Sequence, residues 1–210
     1  MKNTKNISRL TPENMAMAEE HLSRSCPVMA TLITTHGHCR LAGQEEYNPF
    51  RSLVRAVISQ QLSTKAARTI SGRVESVMPS LTPEGLLAVS ADDLRTAGLS
   101  AAKVRCVREL ASRSADGRLN FNAFPSLSED AVIAALTQVP GIGRWTAEMF
   151  LIFGLLKPDV LAVGDGGLQR AARQLFGENV NLDKTGQIWR PWRSVASWYL
   201  WRHLDNAPPT

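Results

Sequence analysis

The sequence predicts an all-α protein built as two helical lobes. Apolar residues recur at the three- and four-residue spacing of a helix face along most of the chain. Nearly every such stretch opens on a Ser, Thr or Asn able to cap a helix. Neither a low-complexity linker nor a repeat of solenoid length separates two halves, which predicts lobes joined without a flexible tether.

Taken in chain order, Thr11-Pro12-Glu13 supplies a capping hydroxyl, a proline at the first helical position and an acid in the first turn. Thr31 to Thr35 is the one strand-like stretch. Asn48 before Pro49 opens a segment whose Phe50, Leu53, Val54, Val57 and Ile58 share one face. Ser63 caps a helix carrying Ala66, Ala67, Ile70, Val74 and Val77. Thr82-Pro83-Glu84 repeats the first pattern, Ser90 with Asp93 is a capping-box pattern, and Ser100 precedes Val104, Val107, Leu110 and Ala111. Ser128 opens a short helix through Leu136. Trp145 to Leu156 is mostly apolar and predicts a buried helix, and Gly166 to Phe176 predicts another, stopped by Gly177. The last, from about Pro191 to His203, is rich in tryptophan. The total expected is about ten short helices.

Composition sets the class. Of 210 residues, 44% are hydrophobic and 20% charged, the balance of a folded domain. The polar ends, 1–9 and 206–210, are expected to fray. Met1 to Leu10 carries no apolar signal core, and the longest apolar stretch, Met149 to Leu156, is far too short to span a bilayer. Three scattered cysteines, Cys26, Cys39 and Cys106, fit reduced thiols. An intracellular protein is expected, in a bacterial cytoplasm and nucleoid or in a nucleus. His36, His38 and Cys39 form a His-x-His-Cys run, but no acidic, Cys or His partner lies nearby in sequence, so no metal site is expected there. A net charge of +5 and pI ≈ 9.4 are compatible with a nucleic-acid partner without selecting one.

Function is most legible between Thr137 and Ala147. There Pro140-Gly141-Ile142-Gly143 joins two apolar helices, a turn expected to need backbone freedom at both glycines. Gly141 and Gly143 hold no side chain to keep a ligand away, and they lie just before a helix, so their N–H groups suit a phosphate. The same pattern also serves as plain connection between helices.

This stretch resembles the helix-hairpin-helix of the DNA glycosylase superfamily that includes endonuclease III and the alkylbase glycosylases. That superfamily places a catalytic aspartate at the start of the next helix, about twenty residues on, where this chain has Val163-Gly164-Asp165-Gly166-Gly167-Leu168-Gln169-Arg170. Gly143-Arg144-Trp145-Thr146-Ala147 and Pro191-Trp192-Arg193-Ser194 are similar to signatures of the alkylbase (3-methyladenine type II) branch. Ile58-Ser59-Gln60-Gln61-Leu62-Ser63 resembles that branch's minor-groove loop. The resemblance spans about Asn48 to His203.

The resemblance implies a cleft between two lobes, 48–156 forming one and 1–47 with 157–210 the other. It implies Asp165 as the catalytic residue, although an aspartate directly before a helix is also an ordinary N-cap. The two roles are compatible. A carboxylate about 4 Å from an oxocarbenium-like sugar is worth roughly 4 kcal/mol at an effective dielectric near 20. In strand-cleaving relatives a lysine stands at the position of Trp145 and forms a Schiff base with the sugar. An indole cannot, so water is the expected nucleophile and no lyase activity is expected.

Trp145, Met149 and Trp201 are the expected walls of a pocket for an extruded base. Indoles favour a cationic methylated purine over a neutral one. Better-known relatives often carry an aromatic residue where Met149 stands. Trp189, Trp192 and Trp198 read as core. Leu62 is the expected wedge into the gap left by the base, against the alternative of a buried leucine, with Gln60 and Gln61 at the strand edges. Gly141, Gly143, Arg144 and Thr146 complete the expected DNA contacts. The carbonyls of Thr137, Val139 and Ile142 match those that hold a monovalent cation, Na+ or K+, in such hairpins. No cofactor is required, and the cysteines do not match the four-cysteine signature of an iron–sulfur cluster. The expected partner is double-stranded DNA containing alkylated bases, met by a monomer with no membrane involvement. Two alternatives remain at this level: a non-catalytic helix-hairpin-helix DNA-binding module, which would not need Asp165, and a glycosylase for other damaged bases.

Overall fold

Every regular element among the described residues, 7–42 and 48–205 of this computed structural model, is helical. Of the ends expected to fray, residues 1–6 and 206–210 lie outside the described residues. In chain order the helices are α1 (Pro12–Ser25), α2 (Pro27–His36), α3 (Pro49–Ser59), α4 (Thr64–Val77), α5 (Pro83–Ala88), α6 (Ala91–Thr96), α7 (Ala101–Ala115), α8 (Glu129–Leu136), α9 (Arg144–Met149), α10 (Gly166–Phe176), α11 (Leu182–Gly186) and α12 (Arg193–Asp205). A π turn, Phe150–Gly154, prolongs α9, and 3-10 turns occupy Phe124–Ser126 and Gln187–Trp189.

Polar side chains satisfy the first-turn N–H groups that a helix leaves without partners. Asn48 accepts from the Arg51 N–H at 2.9 Å, Ser90 from Asp93 at 3.0 Å, Thr82 from Gly85 at 3.1 Å and Ser128 from Ala131 at 3.2 Å. At Thr11 the side-chain bond comes from downstream: its N–H donates to Asn14 Oδ1 at 2.9 Å.

Two expectations are corrected, and one further helix is present. Thr31 to Thr35 is helical, inside α2. Pro27 starts that helix, and the hydroxyls of Thr31, Thr34 and Thr35 donate back to the carbonyls of Pro27, Ala30 and Thr31 at 3.2, 3.0 and 2.8 Å. Those bonds accommodate β-branched residues in a helix. The last helix starts at Arg193, two residues after Pro191. α11 has no forecast; at five residues it is too short to display an apolar period, though Asn181 caps it at 2.9 Å.

The chain divides into two compact units, Met1–Glu46 with Leu156–Thr210, and Tyr47–Leu155. In the second unit α3 packs on α4, α7, α9 and the π turn. Phe50, Phe121, Phe124 and Phe150 form an edge-to-face cluster with ring centroids 5.4–6.1 Å apart, the arrangement ring quadrupoles favour. In the first unit α2 and α10 pack on α12. Trp189, Trp192 and Trp198 are buried there as core.

Glu19 of α1, itself buried, accepts from the Cys39 N–H at 2.7 Å and the Tyr199 hydroxyl at 2.9 Å, and its second oxygen lies 2.9 Å from His38 Nδ1. So His38 does have an acidic neighbour, brought from a distant helix that the local sequence could not show. No cluster of three or more metal-binding His, Cys, Asp or Glu side chains exists among the described residues.

Candidate active site

The hairpin occupies the turn between α8 and α9. Gly141 has φ +92°, a left-handed conformation that disfavours any Cβ, and a Cβ there would stand 3.1 Å from Cys106 Sγ. Gly143 does not share that need, contrary to expectation. It is extended at φ −94° and ψ 175°, because it acts as the N-cap of α9, and nothing lies within 4 Å of where its Cβ would be. The Ile142 N–H donates to the Val139 carbonyl at 3.0 Å and closes the turn. Gly141, Gly143 and Arg144 face solvent, whereas Ile142 is buried.

Thr146, expected among the DNA contacts, turns inward. It is 2% exposed, and its hydroxyl accepts from Gln60 Nε2 at 2.9 Å. The same nitrogen donates to the Gly141 carbonyl at 3.0 Å. Gln60 is thus a brace on the hairpin, and its amide donors are not left for a DNA strand edge. Gln61 and Leu62 do face solvent. Gln61 takes a left-handed φ of +57°, and Leu62 is 38% exposed rather than buried. Arg144 pairs through Nε with Glu148 Oε1 at 2.9 Å.

Asp165 precedes α10 and caps it. Its Oδ1 accepts from the Leu168 N–H at 2.7 Å and from Trp201 Nε1 at 2.9 Å, and the residue is buried. Trp201, expected as a pocket wall, therefore also orients the carboxylate. Gly167 permits this approach: a Cβ there would lie 3.0 Å from Asp165 Oδ1 and 3.3 Å from Trp201 Cδ1. By contrast, the buried indole nitrogens of Trp189 and Trp192 have no hydrogen-bond partner among the described residues. Of the other expected walls, Trp145 is half-buried and Met149 is buried.

The segment leading to Asp165 is fastened to α12 by the residues of the Pro191–Ser194 motif. The buried Ser194 hydroxyl donates to the Lys157 carbonyl at 2.6 Å and accepts from the Val160 N–H at 3.0 Å. Its own N–H donates to the Pro158 carbonyl at 3.0 Å. Arg193 grips Asp159 with Nε at 2.7 Å from Oδ1 and Nη2 at 3.1 Å from Oδ2, the fork geometry of a guanidinium on a carboxylate. The Pro191–Ser194 motif marks Arg193 and Ser194 in the sequence, whereas Asp159 lies outside any motif and is brought to Arg193 only by the fold.

Residues 54–192 match the family model described as HhH-GPD superfamily base excision DNA repair protein. DNA-3-methyladenine glycosylase 1 of Schizosaccharomyces pombe is 33% identical over 207 residues, covering 94% of this chain and 91% of that protein. The solved structure of the Schizosaccharomyces pombe 3-methyladenine DNA glycosylase in complex with abasic-DNA has a TM-score of 0.80 over 89% of this chain and 95% of that one. DNA-3-methyladenine glycosidase from Bacillus halodurans, 38% identical, has a TM-score of 0.73 over 90% and 89%. The chain belongs to the HhH-GPD superfamily of base excision DNA repair proteins.

Proposed function

We propose that this protein is a monofunctional DNA glycosylase that hydrolyses the N-glycosidic bond of alkylated bases in double-stranded DNA. The observation that carries this reading is the buried, doubly held carboxylate of Asp165 at the head of α10. It supplies a fixed negative charge for the sugar cation that develops as the bond breaks. Water adds to C1′, the base departs with the bonding electron pair, and the carboxylate orients that water and takes its proton. A purine already cationic through methylation leaves neutral, so no strong general acid is needed. Likeness across most of its length to proteins named for 3-methyladenine supports that base as a lesion, and the same chemistry extends the reading to 7-methylguanine, another purine made cationic by methylation.

Trp145 in place of a lysine supports hydrolysis without strand cleavage. The exposed Leu62 fits a wedge, and the solvent-facing Gly141 and Gly143 fit a phosphate grip. The carbonyls of Thr137, Val139 and Ile142 fit a Na+ or K+ site: among the described residues no backbone N–H donates to the first or the last, and Val139 retains a second lone pair. A bound cation there would add positive charge beside the phosphate grip. We place the work on DNA inside the cell, done by a monomer. The test is base release from methylated duplex DNA with chromatographic identification of the products. Free 3-methyladenine and 7-methylguanine are expected; absence of any released base contradicts the reading.

A further inference from the structure

The carboxyl end of α3 leads directly into the loop carrying Leu62. A helix leaves its last four carbonyls without partners, and here those of Ala56, Val57, Ile58 and Ser59 are all engaged. Ala56 accepts from the Ser59 hydroxyl at 2.8 Å, Val57 from the Gln60 N–H at 3.4 Å and Ser59 from the Leu62 N–H at 3.1 Å. The fourth, Ile58, accepts from Lys103 Nζ at 2.6 Å, and the same ammonium donates to the Gln60 carbonyl at 2.8 Å. Lys103 comes from the first turn of α7, more than forty residues away in sequence. Burial lowers its pKa from the ordinary lysine value, and its positive charge sits where the α3 dipole is negative.

Gln60 is therefore held from both sides. Its backbone carbonyl is bound to Lys103, while its side chain donates to the Gly141 carbonyl and the Thr146 hydroxyl at 3.0 and 2.9 Å. The next residue, Gln61, stands in the left-handed region at φ +57°, a conformation that persists when its surroundings impose it. Leu62 follows, exposed. We propose that Lys103 is a positioning residue: by tying the end of α3 to α7 it fixes Gln60 against the hairpin and holds Leu62 out as a preformed wedge. The inference rests on the reading of Leu62 as the residue that fills the gap in damaged DNA. An ordered wedge binds DNA without the ordering cost a loose loop incurs.

A double-mutant cycle tests it, with fluorescence anisotropy on a duplex holding a tetrahydrofuran abasic-site analogue and on the same duplex undamaged. Lys103→Met keeps the stem and removes the ammonium. It is expected to weaken abasic-site binding about tenfold in the native loop, the equivalent of roughly 1.4 kcal/mol, with undamaged-duplex binding within about twofold. In a Leu62→Ala background the same change is expected to cost less than about twofold, because there is no wedge left to hold. Lys103→Arg, which retains the charge and donors, is expected to restore most of the affinity, and it carries the test in case Lys103→Met fails to fold. Equal losses in both backgrounds, or a Lys103→Arg protein as weak as Lys103→Met, would overturn the positioning role while leaving the wedge intact. A Leu62→Ala protein that binds the abasic duplex as the native protein does would instead remove the wedge reading itself, and the proposal with it.

Discussion

Asp165 Oδ1 accepts one N–H from the backbone of its own helix and one from an indole on α12, so two elements fix the direction of the carboxylate. A hydrogen bond to a charged group contributes about 1.5–3 kcal/mol. Trp201→Phe removes the donor and keeps an aromatic ring, so single-turnover base release should fall roughly ten- to a hundredfold. Abasic-site binding should stay within about twofold, since the indole N–H is spent on Asp165. Undiminished release would reduce Trp201 to packing. Gly167→Ala probes the same contact from the other side. Its Cβ would meet Asp165 Oδ1 at 3.0 Å and Trp201 Cδ1 at 3.3 Å, so one of the two must shift. Base release should drop about tenfold or more, because misplacing a reacting group by a fraction of an ångström is costly. An unaltered rate would show that the carboxylate tolerates movement.

The two hairpin glycines differ in what the backbone requires of them. At Gly141 an alanine must adopt φ near +92° against Cys106, which should cost about 1–2 kcal/mol and lower the melting temperature by several degrees. At Gly143 the backbone is ordinary and the space open, so Gly143→Leu should leave the melting temperature almost unchanged. It should weaken binding to damaged and undamaged duplexes alike, because phosphate contacts position without specifying. Anisotropy titrations on both duplexes, with thermal unfolding alongside, check the pair. Equal affinity of Gly143→Leu and the native protein would remove the phosphate grip from this turn. The sequence pattern marked both glycines but could not tell them apart, since φ depends on what lies behind each residue, here Cys106 from α7. The same holds for Gln60 and Thr146. Their motifs placed them near DNA, yet a bond between residues 86 positions apart turns both inward.

For the molecule as a whole, local signals sufficed for most of the fold. Caps at Asn48, Thr82, Ser90 and Ser128 mark the helix starts because the side chain and the N–H it accepts are three residues apart. What escaped were features made by distant partners: Glu19 beside His38, Lys103 beneath α3, and Ser194 stitched to Lys157 and Val160. Thr31 to Thr35 looks strand-like by β-branched composition, yet its threonine hydroxyls bond back to carbonyls one turn earlier and the stretch is helical. The reaction class is likewise testable on the intact protein. With Trp145 where a Schiff-base lysine would stand, borohydride should trap no covalent protein–DNA adduct, and product strands should break only after alkali or heat. A trapped adduct on a denaturing gel would contradict hydrolysis by water. No helix among the described residues is long and apolar enough to cross a membrane.

The central claim is that the Asp165 carboxylate stabilises the sugar cation. Its most direct test is single-turnover release of 3-methyladenine by Asp165→Asn, measured together with thermal unfolding and binding to damaged duplex. Asparagine caps a helix about as well as aspartate, and its amide oxygen can accept from both Leu168 N–H and Trp201 Nε1. Stability and binding should therefore change little. Release should fall roughly a hundredfold or more, given an electrostatic contribution of about 4 kcal/mol partly offset by the amide dipole. A near-native rate, or a loss explained entirely by unfolding, would contradict the account.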